Sequence, residues 1–345
     1  MKIAFRVDSS SMIGTGHITR CLTLAHYLKE RGHDCHFISR QLTGNLFQPL
    51  SSPYRHHLLK PPSGNVDTEG PPHRHWLQHE TEDDSEECLD LLKSEVFDIL
   101  IVDHYALDQK WEKKLYPHVK KLVVIDDLID RFHHCHLYIN MNFGVEEIGE
   151  LKTNADSKVL LGIQYAPLRP EFFLPKKRIR TVIENILLFF GGADYEGFTE
   201  LFLQKGFLQQ FPKIQFRLMT RKPEHKIFET LYPNLEVHLN TTEVPNLMHQ
   251  SDLYIGSGGT ITFERLFMGL PGFIQCVAYN QEISNLRLFQ KNLGIKIDFI
   301  QRPNDILDKL IKLQHDPHEL SIWSKQCYEQ FPQGHSHLLI EELLK

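Results

Sequence analysis

Residues Gly14-Thr15-Gly16-His17-Ile18-Thr19-Arg20 place a histidine behind a glycine turn, where a strand gives way to a helix. The run Ile3 to Val7 before the turn is apolar and suits a parallel strand buried on both faces. After the turn, Ile18, Cys21, Leu22, Ala25 and Leu28 recur on one helical stripe, and Gly32 can end the helix. A helix N-terminus offers unpaired N–H groups and the positive end of its dipole. Glycines let the backbone approach closely, so Gly14 and Gly16 shape a site for an anionic ligand. The same dipole disfavours imidazolium and leaves His17 a neutral ring able to accept a proton. The expected chemistry is general-base catalysis beside a phosphate-bearing ligand. The plainer alternative is that His17 only caps backbone donors or binds phosphate.

A second constellation repeats this logic. Ile255-Gly256-Ser257-Gly258-Gly259-Thr260-Ile261-Thr262-Phe263-Glu264 runs from an apolar strand through a Ser/Gly turn into a helix ending near Gly269-Leu270-Pro271. The turn's N–H groups and hydroxyls suit a pyrophosphate. Glu264 lies four residues after Thr260, one helical turn deeper, where its carboxylate can accept from both ribose hydroxyls. Otherwise Glu264 is a first-turn acid favoured by the dipole. Tyr279-Asn280-Gln281-Glu282 follows a strand, and Asn280 is an N-cap, a phosphate- or sugar-contacting amide, or both.

The elements that must position these residues alternate strand and helix. Strands are expected at Cys35 to Ser39, Phe97 to Val102, Leu122 to Ile125 and Leu137 to Asn140, with an acidic helix from Thr81 to Glu95. The proline- and histidine-rich stretch from Pro49 to His79 reads as a long loop with at most one short strand. Asp103-His104-Tyr105 and Asp126-Asp127 stand at strand C-terminal ends, where open α/β sheets bind ligands. A second cycle has strands at Ile186 to Phe190, Ile214 to Met219, Leu235 to Leu239, Leu253 to Gly256, Gly272 to Val277 and Ile295 to Phe299, and a helix from Gly197 to Phe211. The fold class is therefore α/β, with two Rossmann-like domains facing a cleft. We expect residues 1–165 as the N-terminal domain carrying the His17 turn, 166–182 as a proline-rich basic linker, and 183–345 as the C-terminal domain.

Composition narrows the function. The 345 residues are 41% hydrophobic and 24% charged, as in soluble globular proteins, and the net charge of −6 with no basic stripe argues against nucleic-acid binding. No apolar run is long enough to cross a bilayer and no signal peptide is evident, so the expectation is a cytoplasmic protein that does not bind membrane. The six cysteines form no C-x-x-C pair and read as reduced thiols. His133-His134-Cys135-His136 reads as a loop cluster, since adjacent residues of an extended segment point to opposite faces; no metal site is expected there.

The motifs together resemble the nucleotide-sugar hydrolase family of pseudaminic acid biosynthesis. The resemblance is carried by Arg6-Val7-Asp8-Ser9-Ser10 with Ile13-Gly14-Thr15-Gly16-His17, by Val102-Asp103-His104-Tyr105, Asp126-Asp127 and His133-His134-Cys135, and by the segment Leu161 to Phe172 with Tyr165. It resumes at Phe190 to Asp194, Ser257-Gly258-Gly259-Thr260 and Asn280-Gln281, so ordered matches reach about residue 295. The resemblance implies a two-domain fold like GT-B glycosyltransferases. It also implies hydrolysis of UDP-2,4-diacetamido-2,4,6-trideoxy-β-L-altropyranose to free sugar and UDP, with inversion at C1 and no required metal or cofactor. By motif match, His17 is the base that activates water. Ser257, Gly258, Gly259 and Glu264 belong to the UDP side, with Thr260 and Gln281 beside them, and Asn280 is a phosphate- or sugar-contacting amide. Asp8 or a nearby carboxylate is expected to orient His17, and Asp103, His104, Tyr105 and Tyr165 are candidates for sugar contact. The segment Leu59 to His79 looks expanded against the family and could border the sugar. Rival readings are a UDP-sugar-dependent glycosyltransferase, a hydrolase of a related UDP-diacetamido sugar, and a noncatalytic nucleotide-sugar binding protein.

Overall fold

In the computed structural model, the described residues are all but 46–52, 63, 65–68, 148–150, 193, 195, 278–280, 283–284 and 332–334. The chain divides into two compact units. The first comprises residues 1–167 and the C-terminal helix; the second begins at Leu168.

The first unit holds a seven-stranded sheet in the order β3-β2-β1-β4-β5-β6-β7. Its strands are β1 (Lys2–Val7), β2 (Asp34–Arg40), β3 (Arg55–Leu59), β4 (Ile99–Asp103), β5 (Lys121–Ile125), β6 (Leu137–Asn140) and β7 (Lys158–Leu161). Every pairing is parallel. β4 is buried along its whole length, which is why its sequence is an unbroken apolar run rather than an alternating one. The chain moves from β1 outward to β3, then returns to the other side of β1 for β4. The point of reversal therefore lies between β1 and β4, where doubly wound sheets open a crevice for ligands. Helix α1 (Gly16–Glu30) buries Ile18, Cys21, Leu24, Ala25 and Leu28 and stops before Gly32, whose φ of +81° suits glycine. Leu24, rather than the expected Leu22, completes the buried stripe. Helices α2 (Thr81–Ser94) and α3 (Gln109–Leu115) pack Cys88, Leu92, Trp111 and Leu115 into the apolar cluster that also holds Leu100 and Val102.

The second unit repeats the plan with strand order β10-β9-β8-β11-β12-β13. These are β8 (Asn185–Phe189), β9 (Gln215–Thr220), β10 (Leu235–Leu239), β11 (Leu253–Ser257), β12 (Gly272–Gln275) and β13 (Ile295–Ile297). They too are parallel throughout, with the reversal between β8 and β11.

Four expectations change. The helix expected over 197–211 is two short ones, Phe198–Gln204 and Phe207–Gln210, divided at Gly206, whose φ is +73°. β7 was not foreseen; it is a four-residue strand at the sheet edge, half exposed and without a distinctive apolar run. The basic linker packs into the second unit. Arg180 is fully buried and donates to the carbonyls of Ser251 and Met248, and Arg178 pairs with Asp252. The C-terminal helix His335–Leu344, expected with the second domain, belongs to the first: Lys121 Nζ donates to the Leu343 carbonyl at 3.1 Å, and Lys158 pairs with Glu342.

Candidate active site

Between β1 and α1 the backbone makes a tight turn. Gly14 N–H donates to the Ser10 carbonyl (2.8 Å) and Ile13 N–H to Ser10 Oγ (3.0 Å), while Gly14 holds a φ of +77°. α1 then begins at Gly16 with no side chain capping it, and His17 is its second residue.

His17 Nδ1 lies 2.6 Å from Asp103 Oδ1. Asp103 closes β4, in register with Val7 of β1, and is wholly buried. Arg20, one turn along α1 from His17, forks onto the same carboxylate through Nε and Nη2, both at 2.6 Å. Its Nη1 donates to Asp127 Oδ2 at 2.7 Å, beyond β5, and that oxygen also accepts the Tyr105 hydroxyl at 2.6 Å. The first turn of α1 and the carboxyl ends of β4 and β5 are thus joined by a continuous chain of charged hydrogen bonds. Burial alone would raise the Asp103 pKa, but the Arg20 guanidinium and His17 hold it well below the usual carboxylate range. An ionised Asp103 can only accept, so Nδ1 of His17 carries the hydrogen, and in the neutral ring the lone pair is on Nε2.

One side of this histidine is aromatic. The Tyr105 ring meets His17 edge-on with centroids 4.4 Å apart, Trp76 stacks on Tyr105 at 5.5 Å, and His73 meets Trp76 at 4.5 Å. Trp76 lies in the 3-10 turn Arg74–Leu77, within the proline- and histidine-rich stretch, and His73 directly precedes it. Sequence reasoning missed Arg20, His73 and Trp76. Arg20 carried a usable signal, three residues after His17 on the same helical face.

The orienting role expected of Asp8 falls instead to Asp103. Asp8 is fully buried and accepts from Arg6 Nη1 and the Arg40 N–H, both at 2.7 Å. Arg6 and Arg40 in turn bind Asp84 of α2, which also accepts from Trp111 Nε1 at 2.9 Å. This cluster fastens α2 and α3 beneath the sheet. His104, expected at the sugar, is buried with Nδ1 accepting from the Ala106 N–H and Nε2 3.1 Å from Asp8 Oδ2, off the hydrogen-bond direction. Asp103 and Tyr105, also expected there, are buried in the Arg20 chain, and Tyr165 ends a 3-10 turn that follows the edge strand β7. Of the loop histidines, His133 Nδ1 lies 2.6 Å from Glu112 Oε1 and its Nε2 3.7 Å from Asp126, while the His136 ring stacks on Tyr116 at 3.9 Å.

In the second unit, Ser257 ends β11 beside Gly191, which follows β8; a Cβ on Gly191 would lie 3.9 Å from Ser257 Oγ. The turn Gly258-Gly259-Thr260 leads into the helix Ile261–Phe267. Gln281 braces this turn, its Oε1 accepting from Gly258 N–H (3.2 Å) and Val277 N–H (3.1 Å), so Gly258 N–H already has a partner. Glu264 is partly buried. Arg169 donates to its Oε1 through Nε and Nη2 at 3.1 and 2.9 Å, an ion pair the sequence did not announce. Burial nevertheless raises the Glu264 pKa. Asn280 lies outside the described residues.

No family model matches the chain. It is 28% identical over 308 residues, 87% of its length and all of that protein's, to the UDP-2,4-diacetamido-2,4,6-trideoxy-β-L-altropyranose hydrolase of Campylobacter jejuni subsp. jejuni serotype O:2. The likeness read from the motifs therefore holds across most of the chain. It is also 24% identical over 298 residues to an uncharacterized protein of Methanocaldococcus jannaschii, spanning 79% of this chain and 54% of that one. Among solved structures, the spinosyn rhamnosyltransferase SpnG bound to thymidine diphosphate matches 99% of this chain and all of its own at 13% identity, with a TM-score of 0.67. Acinetobacter baumannii MurG matches 99% of this chain and 98% of its own at 12% identity, with a TM-score of 0.64. The fold is GT-B-like, made of two Rossmann-like domains.

Proposed function

We propose that this chain is a nucleotide-sugar hydrolase that cleaves the glycosyl–UDP bond of UDP-2,4-diacetamido-2,4,6-trideoxy-β-L-altropyranose, with His17 as general base. The observation that carries the reading is the buried Asp103–His17 pair at the reversal point of the first sheet, in a chain 28% identical to a hydrolase of that substrate.

In this mechanism His17 Nε2 takes a proton from water as the water oxygen bonds to C1. The bond from C1 to the phosphate oxygen breaks, and UDP leaves with its electron pair. Attack from the face opposite UDP inverts C1. Asp103 holds the ring in the productive tautomer and offsets the charge that develops on it. Arg20 fixes Asp103, and Tyr105 and Asp127 fix Arg20. The remaining donors of the Ser257–Thr260 turn hold the diphosphate, and Glu264 Oε2 accepts from the ribose. The leaving group is assigned to these protein donors, so the reading calls for no metal in the step.

The solved neighbours are glycosyltransferases, and acceptor dependence separates the two enzyme readings. Incubated with the UDP-sugar and no acceptor, the protein is expected to release UDP and free sugar, with NMR showing the inverted anomer first. His17→Ala is expected to lower turnover by about 10²- to 10⁴-fold while UDP still binds. UDP release only on addition of an acceptor, or none under any condition, overturns the proposal.

A further inference from the structure

The edge of the first sheet opposite His17 carries a cluster that the proposed reaction does not use. Because the strands are parallel, their starts lie together: Lys2 opens β1, Asp34 and His36 lie at the start of β2, and His57 lies within β3. Glu95 follows the last residue of α2.

His36 is fully buried, and its Nε2 lies 3.0 Å from Asp34 Oδ2. A carboxylate only accepts, so Nε2 carries the hydrogen, and in the neutral ring Nδ1 bears the lone pair. That lone pair faces His57 Nε2 at 2.9 Å and Glu95 Oε2 at 3.5 Å, and the three atoms all lie within 4.8 Å of one another. In a tetrahedral zinc site with bonds of about 2.0–2.1 Å, neighbouring ligand atoms stand about 3.3 Å apart. The Glu95 separation already suits this, and His57 needs to withdraw by about 0.4 Å. Asp34 takes the place of the outer carboxylate that commonly holds the far nitrogen of a metal-binding imidazole. The side chain of Glu95 is 31% exposed, so an ion can enter. Lys2 Nζ, 2.6 Å from Glu95 Oε2 and 5.2 Å over the Phe97 ring, is the cation that an incoming ion must displace.

We propose that His36 Nδ1, His57 Nε2 and Glu95 form a zinc site with water as fourth ligand, Asp34 as its outer carboxylate and Lys2 as its competitor. Its role is structural, clasping β2, β3 and the end of α2 at the edge remote from His17. The proposal does not rest on the hydrolase reading.

The test is titration of the EDTA-treated full chain with ZnCl₂ by calorimetry, together with thermal unfolding with and without zinc. His57 sits on a partly exposed edge strand, so His57→Ala is the variant least disruptive to folding. It is expected to lose one bound ion per chain and the zinc-induced rise in Tm. Asp34→Asn should weaken that ion's binding by about 10- to 100-fold. Lys2→Met should tighten it several-fold, which a mere histidine hydrogen bond does not predict. Stoichiometry unchanged in His57→Ala means the zinc is bound by other histidines and overturns the proposal. Affinity unchanged in both Asp34→Asn and Lys2→Met does the same.

Discussion

Replacing Asp103 by asparagine removes one negative charge from beside His17 and alters little else in shape. Each Asp103 oxygen accepts from two donors: His17 Nδ1 and Arg20 Nη2 on one, Arg20 Nε and Cys21 Sγ on the other. Whichever way the new amide turns, its NH₂ is set against an Arg20 N–H. In one of the two orientations it also donates to Nδ1 and forces His17 into the wrong tautomer. With charge centres about 4 Å apart and an effective dielectric of about 20, the lost attraction for the imidazolium formed during attack is about 4 kcal/mol. At 1.36 kcal/mol per tenfold, kcat should fall by about a thousandfold. KM should move by less than about threefold, because the group acts only once proton transfer begins. Arg20 keeps Asp127 as a partner, so the fold should survive with a loss of about 3 kcal/mol, checked by urea unfolding. The assay is UDP release without acceptor, run on Asp103→Asn, His17→Ala and the double variant. If the two residues act as one unit, the second substitution adds almost nothing to the first. A folded Asp103→Asn protein within tenfold of the wild-type kcat would refute the reasoning, as would a full additional loss in the double variant.

Three further outcomes follow from other parts of the structure. Burial pushes the His133 pKa down, but Glu112 and Asp126 outweigh it and raise it to about 9, above its ordinary value of about 6.5. Its stabilisation is therefore full below about pH 6.5 and lost as the pH climbs through 9. The stability gap between wild type and His133→Gln in urea should narrow by about 3 kcal/mol between about pH 6 and pH 9.5, and a constant gap would contradict this. Gly256→Ala should cost about 3 kcal/mol or more, lowering Tm sharply, since its Cβ would stand 1.9 Å from the Phe189 carbonyl oxygen, which is backbone and cannot swing aside. Glu264→Ala should weaken UDP binding by about 10- to 100-fold in calorimetry if the carboxylate holds the ribose; an unchanged Kd would end that assignment.

Much of this architecture could be read directly from residue order. Continuous apolar runs such as Ile99 to Val102 announce strands covered on both faces, and the polar residues that halt them mark the ligand-facing edge. Gly14 and His17 were legible because a strand, a glycine turn and a helix start are neighbours along the chain. The division at Gly206 and the edge strand β7 were harder, since a left-handed glycine inside a helical pattern and a four-residue strand leave weak periodic signals.

What residue order could not settle was which carboxylate reaches His17. Asp8 is nine positions away and Asp103 eighty-six, yet the parallel register of β1 and β4 delivers the distant one to 2.6 Å and turns the near one toward Arg6. The pairings of Arg169 with Glu264 and of His36 with His57 are of the same kind. Local periodicity fixes which face of an element a side chain occupies. Only the packing of elements far apart in the chain decides what that face meets, because a partner is set by sheet order and register rather than by spacing.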